Sequence, residues 1–167
     1  AMAEEILLLK GVYENNRSLW YASYPFHLGF YMLVGLLGLL VAGALAPLVG
    51  IPVAADSASV IGTVLFYATI LCGYAGLTLA LLGCVGLLIK RIKDPALRPI
   101  ASPADYCNLG YIRVLLATAL VAWLFTDQTF SATRGIVLSL IQFKGLEGVS
   151  GPIALELVLF SLFILYM

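Results

Sequence analysis

Three ionisable side chains lie within long apolar stretches, and their types indicate which chemistry to look for. His27 is the only histidine in the chain, Arg113 lies inside a later stretch, and Glu156 lies early in the last one. Ionisable groups in such stretches are costly to bury and usually have a function. An imidazole commonly ligates haem iron, a guanidinium binds anionic oxygens, and a carboxylate can accept protons.

Each of these residues also has a simpler interpretation. His27 lies close to the edge of its apolar stretch, where an imidazole can serve as an interfacial hydrogen-bonding group. Arg113 can pair with Asp105, two helical turns earlier, or it can extend to water if its helix begins above the membrane surface. Glu156 can accept protons from a quinol, or it can simply pair with a helix N-terminus. The residues alone leave these alternatives open.

The elements that must position these side chains are continuous apolar segments. Of the 167 residues, 62% are hydrophobic and 11% are charged, whereas soluble domains carry about 25% charged residues. No Asp, Glu, Lys or Arg occurs from Ser18 to Ala55, or from Ser57 to Ile89. A membrane-spanning helix needs only about 20 apolar residues, and a membrane barrel would alternate apolar and polar residues. The sequence therefore predicts an all-α integral membrane bundle.

Four transmembrane helices are predicted, and an amphipathic interfacial segment precedes them at 4–24. The predicted spans are approximately 25–49, 60–89, 103–125 and 152–167. The third span has a strong start signal, because Ser102 can cap the helix, Pro103 suits its first turn, and Asp105 faces its positive end. The last span is still apolar at Met167. We therefore expect the native chain to extend beyond the ends of this sequence.

Basic residues predict the orientation of the bundle. Six of them fall on one side of the four-span arrangement, namely Lys10, Arg17, Lys90, Arg91, Lys93 and Arg98. By the positive-inside rule this side is cytoplasmic, so loop 90–105 is predicted to be cytoplasmic. The three cysteines are too scattered for a disulfide framework or a zinc site. The sequence also contains no nucleotide-binding fingerprint and no Ser/His/Asp set, and no nucleic-acid partner is expected.

Two stretches of the sequence carry a resemblance to a known family. The segment RSLWYASYPFHLG, from Arg17 to Gly29, resembles the entry to the second transmembrane helix of the respiratory nitrate reductase gamma-subunit family. The segments RIKDPALR (91–98) and SPADY (102–106) resemble the cytoplasmic loop of that family. The nearest likeness is to membrane subunits of sulfate-reducer-type redox complexes, which pair with heterodisulfide-reductase-like iron–sulfur subunits.

The resemblance implies both a fold and a cofactor. The family has five membrane spans and carries haem b between the second and the fifth, so the four predicted spans correspond to its second to fifth helices. His27 matches the family's cytoplasm-proximal haem ligand, whereas the family's second histidine, ten residues on, is Leu37 here. The resemblance thus implies one haem b, with its second ligand outside this sequence. We expect Tyr31 and Gly38 to line this haem beside His27, and Arg113 to pair with a propionate.

The predicted function is that of a membrane cytochrome b subunit in a respiratory hetero-oligomer of the inner (cytoplasmic) membrane. It would transfer electrons between menaquinone or another quinone, with Glu156 as the candidate quinone residue, and a cytoplasmic iron–sulfur partner. The alternative is a non-catalytic membrane anchor or assembly subunit without a cofactor. A small transporter is disfavoured, because paired intramembrane charges and internal repeats are lacking.

Overall fold

The computed structural model describes residues 8–95, 97–99, 101–145 and 149–166. Within these residues the chain forms helices and no strand, as the apolar runs predict, and the fold is an all-α membrane bundle. A 3-10 turn, Ala46–Val49, extends the second helix. The α-helices are α1 (Lys10–Asn15), α2 (Arg17–Leu45), α3 (Val60–Lys93), α4 (Pro103–Thr126), α5 (Ser131–Ile141) and α6 (Gly151–Tyr166).

Three of these helices are long and apolar enough to cross a membrane, namely α2 with its 3-10 turn, α3 and α4. Helix α6 has 16 described residues, which span about 24 Å, less than the roughly 30 Å of a bilayer core. The assignment of a fourth span to 152–167 therefore stays a prediction, and Met167 lies outside the described residues.

One helix covers the end of the predicted interfacial segment and the start of the predicted first span. The sequence places the interfacial segment at 4–24 and the first span from Pro25, and α2 begins at Arg17 and continues through Pro25, so the membrane boundary along it stays a prediction. The Asn16 side chain caps α2 by accepting a hydrogen bond from the Leu19 amide at 3.0 Å. Helix α1 alone precedes this cap, and residues 4–7 lie outside the described part of the chain.

Helices α2 and α3 form an antiparallel pair with very close backbones. A Cβ added at Gly29 would lie 2.3 Å from the Ala80 nitrogen, and one added at Gly83 would lie 2.3 Å from the Phe26 nitrogen. No side chain larger than hydrogen fits at either position, and this is the small-residue packing by which membrane helices associate. The contact fixes which residues of α2 and α3 lie beside each other along the helix axes.

Helix α4 completes the core on the other side of α3. Leu77 and Ala80 of α3 pack against Leu116 and Ala119 of α4. The buried Cys84 thiol donates to the Leu109 carbonyl, with 3.2 Å between sulfur and oxygen. Helix α6 runs antiparallel to α4, and one of its links is a 2.7 Å hydrogen bond from the Tyr111 hydroxyl to the Leu159 carbonyl.

Helix α5 closes the end of the bundle opposite the basic loop. The buried Asp127 carboxylate accepts hydrogen bonds from the Thr133 amide (2.7 Å) and the Thr133 hydroxyl (2.8 Å). Arg134 is only 7% exposed; its side chain packs on Gly43 of α2, and its guanidinium lies 5.9 Å from the ring centre of Phe66. Burial lowers the pKa of Arg134, while the Asp127 charge raises it.

We predict that Gly29→Ala destabilises the bundle and that Gly35→Ala, on the same helix, does not. The added methyl at position 29 meets the α3 backbone, and overpacking of this kind costs about 1–3 kcal/mol. Nothing lies within 4 Å of a Cβ at Gly35, where alanine instead gains up to about 1 kcal/mol of helix propensity. Thermal unfolding in detergent, followed by circular dichroism, measures both. Equal Tm values for the two variants would contradict the proposed close contact.

Candidate functional site

His27 is held in one orientation by the turn of α2 that precedes it. Its Nδ1 lies 2.8 Å from the Ser23 carbonyl oxygen and 3.3 Å from the Ser23 hydroxyl. Because a carbonyl can only accept, Nδ1 carries the proton in the neutral ring, and Nε2 keeps its lone pair. Nε2 has no hydrogen-bond partner among the residues that the structure describes. A histidine prepared in this way is suited to ligate a metal through Nε2.

His27 lines a cavity of about 400 Å³ at the basic-loop end of the bundle. This volume falls within the range of small-molecule and cofactor pockets. Its polar members come from three elements: Ser23 and His27 from α2, Arg91 from α3, and Asp105 from α4. The remaining wall is apolar and consists of Leu19, Phe26, Leu87, Leu97, Ala101 and Leu109.

Arg91 and Asp105 form an ion pair in this cavity wall. The Arg91 Nη1 lies 2.8 Å from the Asp105 Oδ2, and both side chains are about two-thirds buried. Asp105 is fixed by the start of α4, where its Oδ2 accepts from the Ser102 amide at 2.9 Å and the Ser102 hydroxyl at 3.1 Å. The Tyr106 hydroxyl donates to the Arg91 carbonyl at 3.1 Å. The helix start predicted from Ser102, Pro103 and Asp105 is therefore present, and it also positions Arg91.

Arg113, which was predicted to pair with a haem propionate, lies outside the His27 cavity. It is exposed on α4 and does not line the cavity. Asp105, its suggested partner, instead pairs with Arg91. Sequence analysis assigned Arg91 only to the basic loop, since 14 residues separate it from Asp105 and no spacing rule connects them. The sequence did contain a signal for this ion pair. Arg91 is a basic residue in the last turn of one helix, and Asp105 is an acidic residue in the first turn of the next.

Tyr31 and Gly38 lie on the exposed face of α2, on the same side of the helix as His27. Tyr31 is 36% exposed and Val34, which shares this face, is 66% exposed. Nothing lies within 4 Å of a Cβ added at Gly38. Residues at spacings of four, seven and eleven share a helix face, so His27 stands at the junction of the cavity and this exposed stripe. Neither Tyr31 nor Gly38 lines the cavity itself.

Glu156 forms a separate polar contact between α6 and α4. Its Oε2 lies 2.8 Å from the Thr118 hydroxyl, which also lies 2.9 Å from the Val114 carbonyl. A hydroxyl has one proton to donate. If the carboxylate is ionised, Thr118 donates to it; if Glu156 is protonated, it donates to Thr118, and Thr118 donates to Val114. The contact therefore accommodates both protonation states of Glu156 without moving a heavy atom.

The two polar sites lie at different depths. The cavity wall on α4 runs from Asp105 to Leu109, and Leu109 lies nine residues before Thr118, which corresponds to about 14 Å along the helix axis. The His27 cavity is therefore at the basic-loop end, whereas Glu156 lies nearer the opposite end. Among the residues described, no group of three or more His, Cys, Asp and Glu side chains could hold a metal ion.

Comparison with known proteins places the chain in a family. The model of the nitrate reductase gamma subunit family matches residues 11–143, a range that includes every polar residue of the His27 cavity and ends before Glu156. The chain belongs to this family, whose members are membrane cytochrome b subunits that transfer electrons in multi-subunit respiratory complexes and generally bind haem b. It is accordingly a multi-pass membrane protein. No curated protein and no solved structure matches the chain.

Proposed function

We propose that this chain binds one haem b through His27 and transfers electrons between a membrane quinone and an iron–sulfur partner on the cytoplasmic side. The observation that carries the proposal is the state of the imidazole. Its Nδ1 proton is committed to the Ser23 carbonyl, and its Nε2 has no hydrogen-bond partner in the described chain. An imidazole arranged in this way presents Nε2 for coordination.

The surroundings of His27 fit a haem. The cavity combines an apolar wall with an ion pair at its rim, as a group with an apolar ring and charged substituents requires. When bound, the haem supplies the one-electron redox step, and the protein supplies ligation, orientation and a low dielectric. Phe26, Leu87 and Leu109 form part of the apolar wall of the cavity that the imidazole lines, while the Ser23 carbonyl holds the ring in place.

The exposed stripe of α2 offers room for the rest of the site. Gly35 and Gly38 leave the helix backbone uncovered beside Val34. A flat ligand or a further helix can approach closely over such a surface. The family arrangement, with haem between the second and fifth helices, would use this face of α2.

Glu156 is proposed to exchange protons with the quinone. The Thr118 hydroxyl can form a hydrogen bond with Glu156 whether the carboxyl group is protonated or ionised. Glu156 can therefore take up or release a proton at little structural cost. Its distance from the wall of the His27 cavity, about 14 Å along α4, separates proton transfer from the electron exit at the basic loop. In this arrangement the quinone is held near the end of the bundle that carries α5.

We predict that His27→Ala removes the haem b absorbance from the purified protein, because the variant lacks the ligating nitrogen. Ser23→Ala is the matched control. It removes only the hydroxyl at 3.3 Å and keeps the backbone carbonyl at 2.8 Å, so its spectrum should be retained. Both variants should insert and elute like the wild type. A full haem spectrum in His27→Ala, or no haem in the wild type, would refute the ligand assignment.

We predict that Glu156→Gln slows electron exchange with a soluble menaquinol analogue by about 100-fold, the scale of a lost general base. The haem spectrum should be unchanged, because Glu156 does not line the His27 cavity. Thr118→Val, which keeps the carboxylate, should have a smaller effect. Stopped-flow absorbance measures the rates. A wild-type rate in Glu156→Gln would exclude this carboxylate from quinone chemistry.

We predict that Lys93→Glu weakens binding of the cytoplasmic iron–sulfur partner. The Lys93 side chain is exposed at the basic-loop end, where a rim charge contributes mainly to association. The amount of partner that co-purifies should fall severalfold, and the loss should diminish at high salt. Lys144→Glu, an exposed basic residue after α5, is the control. Equal recovery with Lys93→Glu and with the control would place the docking surface elsewhere.

A further inference from the structure

We propose that Arg91 binds a haem propionate and that Asp105 is the positioning residue that aims its guanidinium, an inference that rests on the proposed haem at His27. Arg91 and His27 line the same cavity from two neighbouring helices. Arg113, which the sequence favoured for this role, is exposed on α4 outside that cavity. The assignment therefore replaces Arg113 with a residue of α3.

The Arg91 guanidinium has N–H donors that its ion pair does not use, and Asp105 holds the guanidinium in place. A guanidinium carries five N–H donors in a planar fork, and the ion pair with Asp105 involves Nη1. The Asp105 Oδ2 already accepts from the Ser102 amide and hydroxyl, so its position is set by the helix start rather than by Arg91. Arg91 forms no other salt bridge in the part of the chain that the structure describes. Its remaining donors are free to bind a carboxylate in the bidentate manner that arginine favours.

The other basic residues nearby are less suited to this role. Lys90 contacts the Ser18 hydroxyl and lies 4.0 Å from the Asp94 carboxylate. Lys93 and Arg98 are exposed and do not line the cavity. Among these residues, only Arg91 both lines the cavity and is partly buried. A charge-assisted hydrogen bond is stronger in such a position than at an open surface.

The arrangement predicts opposite electrostatic effects for the two members of the ion pair. A positive charge at the propionate favours the electron-rich reduced haem and raises its midpoint potential. Asp105 offsets part of that charge, so removing the carboxylate should strengthen the effect of Arg91. A purely structural ion pair would behave differently, because losing either partner would loosen the same contact and shift the haem in the same direction.

The test compares Arg91→Gln, Asp105→Asn and the control Arg98→Gln in the full chain purified with its haem. Asparagine keeps an oxygen that can accept from Ser102, so the helix start is preserved in Asp105→Asn. Arg98→Gln removes an equal charge from the same loop without touching the cavity. The measurements are the rate of haem loss to an excess of a haem-scavenging apoprotein and the midpoint potential by redox titration. Circular dichroism records the fold of each variant.

Arg91→Gln should lose haem about tenfold faster than the wild type, as expected for one lost charge-assisted hydrogen bond, and should have a lower midpoint potential. Asp105→Asn should retain haem and have a higher potential, and Arg98→Gln should match the wild type. Equal behaviour of Arg91→Gln and Arg98→Gln would overturn the assignment, and so would a lowered potential in both Arg91→Gln and Asp105→Asn. Either result would leave the assignment of His27 as the ligand intact. The proposed function would be refuted only if haem binding did not depend on His27, that is, if His27→Ala kept its haem.

Discussion

The close backbone contact between α2 and α3 is the constraint on which the rest of this structure depends. In a membrane the hydrophobic effect does not drive helices together, so packing distance decides which helices pair. Gly29 and Gly83 allow α2 and α3 to approach until side chains no longer fit between them. In the observed register Gly29 faces Ala80 and Gly83 faces Phe26. This register sets His27 beside Gly83, about two helical turns before Arg91 on α3, and both side chains line the same cavity.

The second constraint is the start of α4. Ser102 and Asp105 form a reciprocal cap, with the Asp105 amide donating to the Ser102 hydroxyl and the Asp105 carboxylate accepting from the Ser102 amide. The same carboxylate pairs with Arg91. One local motif therefore ends the connecting loop, begins a membrane helix and closes the polar rim of the His27 cavity. A helix cap alone stabilises a chain by about 1 kcal/mol, but here it also orders a charged side chain from another helix.

Sequence analysis predicted the features that depend on local composition. The apolar runs specified the helices, and Ser102, Pro103 and Asp105 specified the first residue of α4. The cap at Asn16 was not predicted, and α2 runs through Pro25, which a long membrane helix tolerates. The contact of Arg91 with Asp105 was not predicted either, because it depends on how α3 meets α4. Gly38, which the sequence placed beside the haem, is open on one face of α2.

The charges inside this apolar chain differ in their surroundings. Asp127 accepts two hydrogen bonds from Thr133 at the start of α5, whereas the buried Arg134 packs on Gly43 and leaves its Nη1 without a partner among the described residues. His27, Arg91 and Glu156 each retain a free lone pair, a free donor or a second protonation state. Burying such incomplete groups in a membrane costs stability. A chain that served only as an anchor would gain stability by replacing them with apolar residues, and for this reason the geometry favours a redox subunit over a cofactor-free anchor.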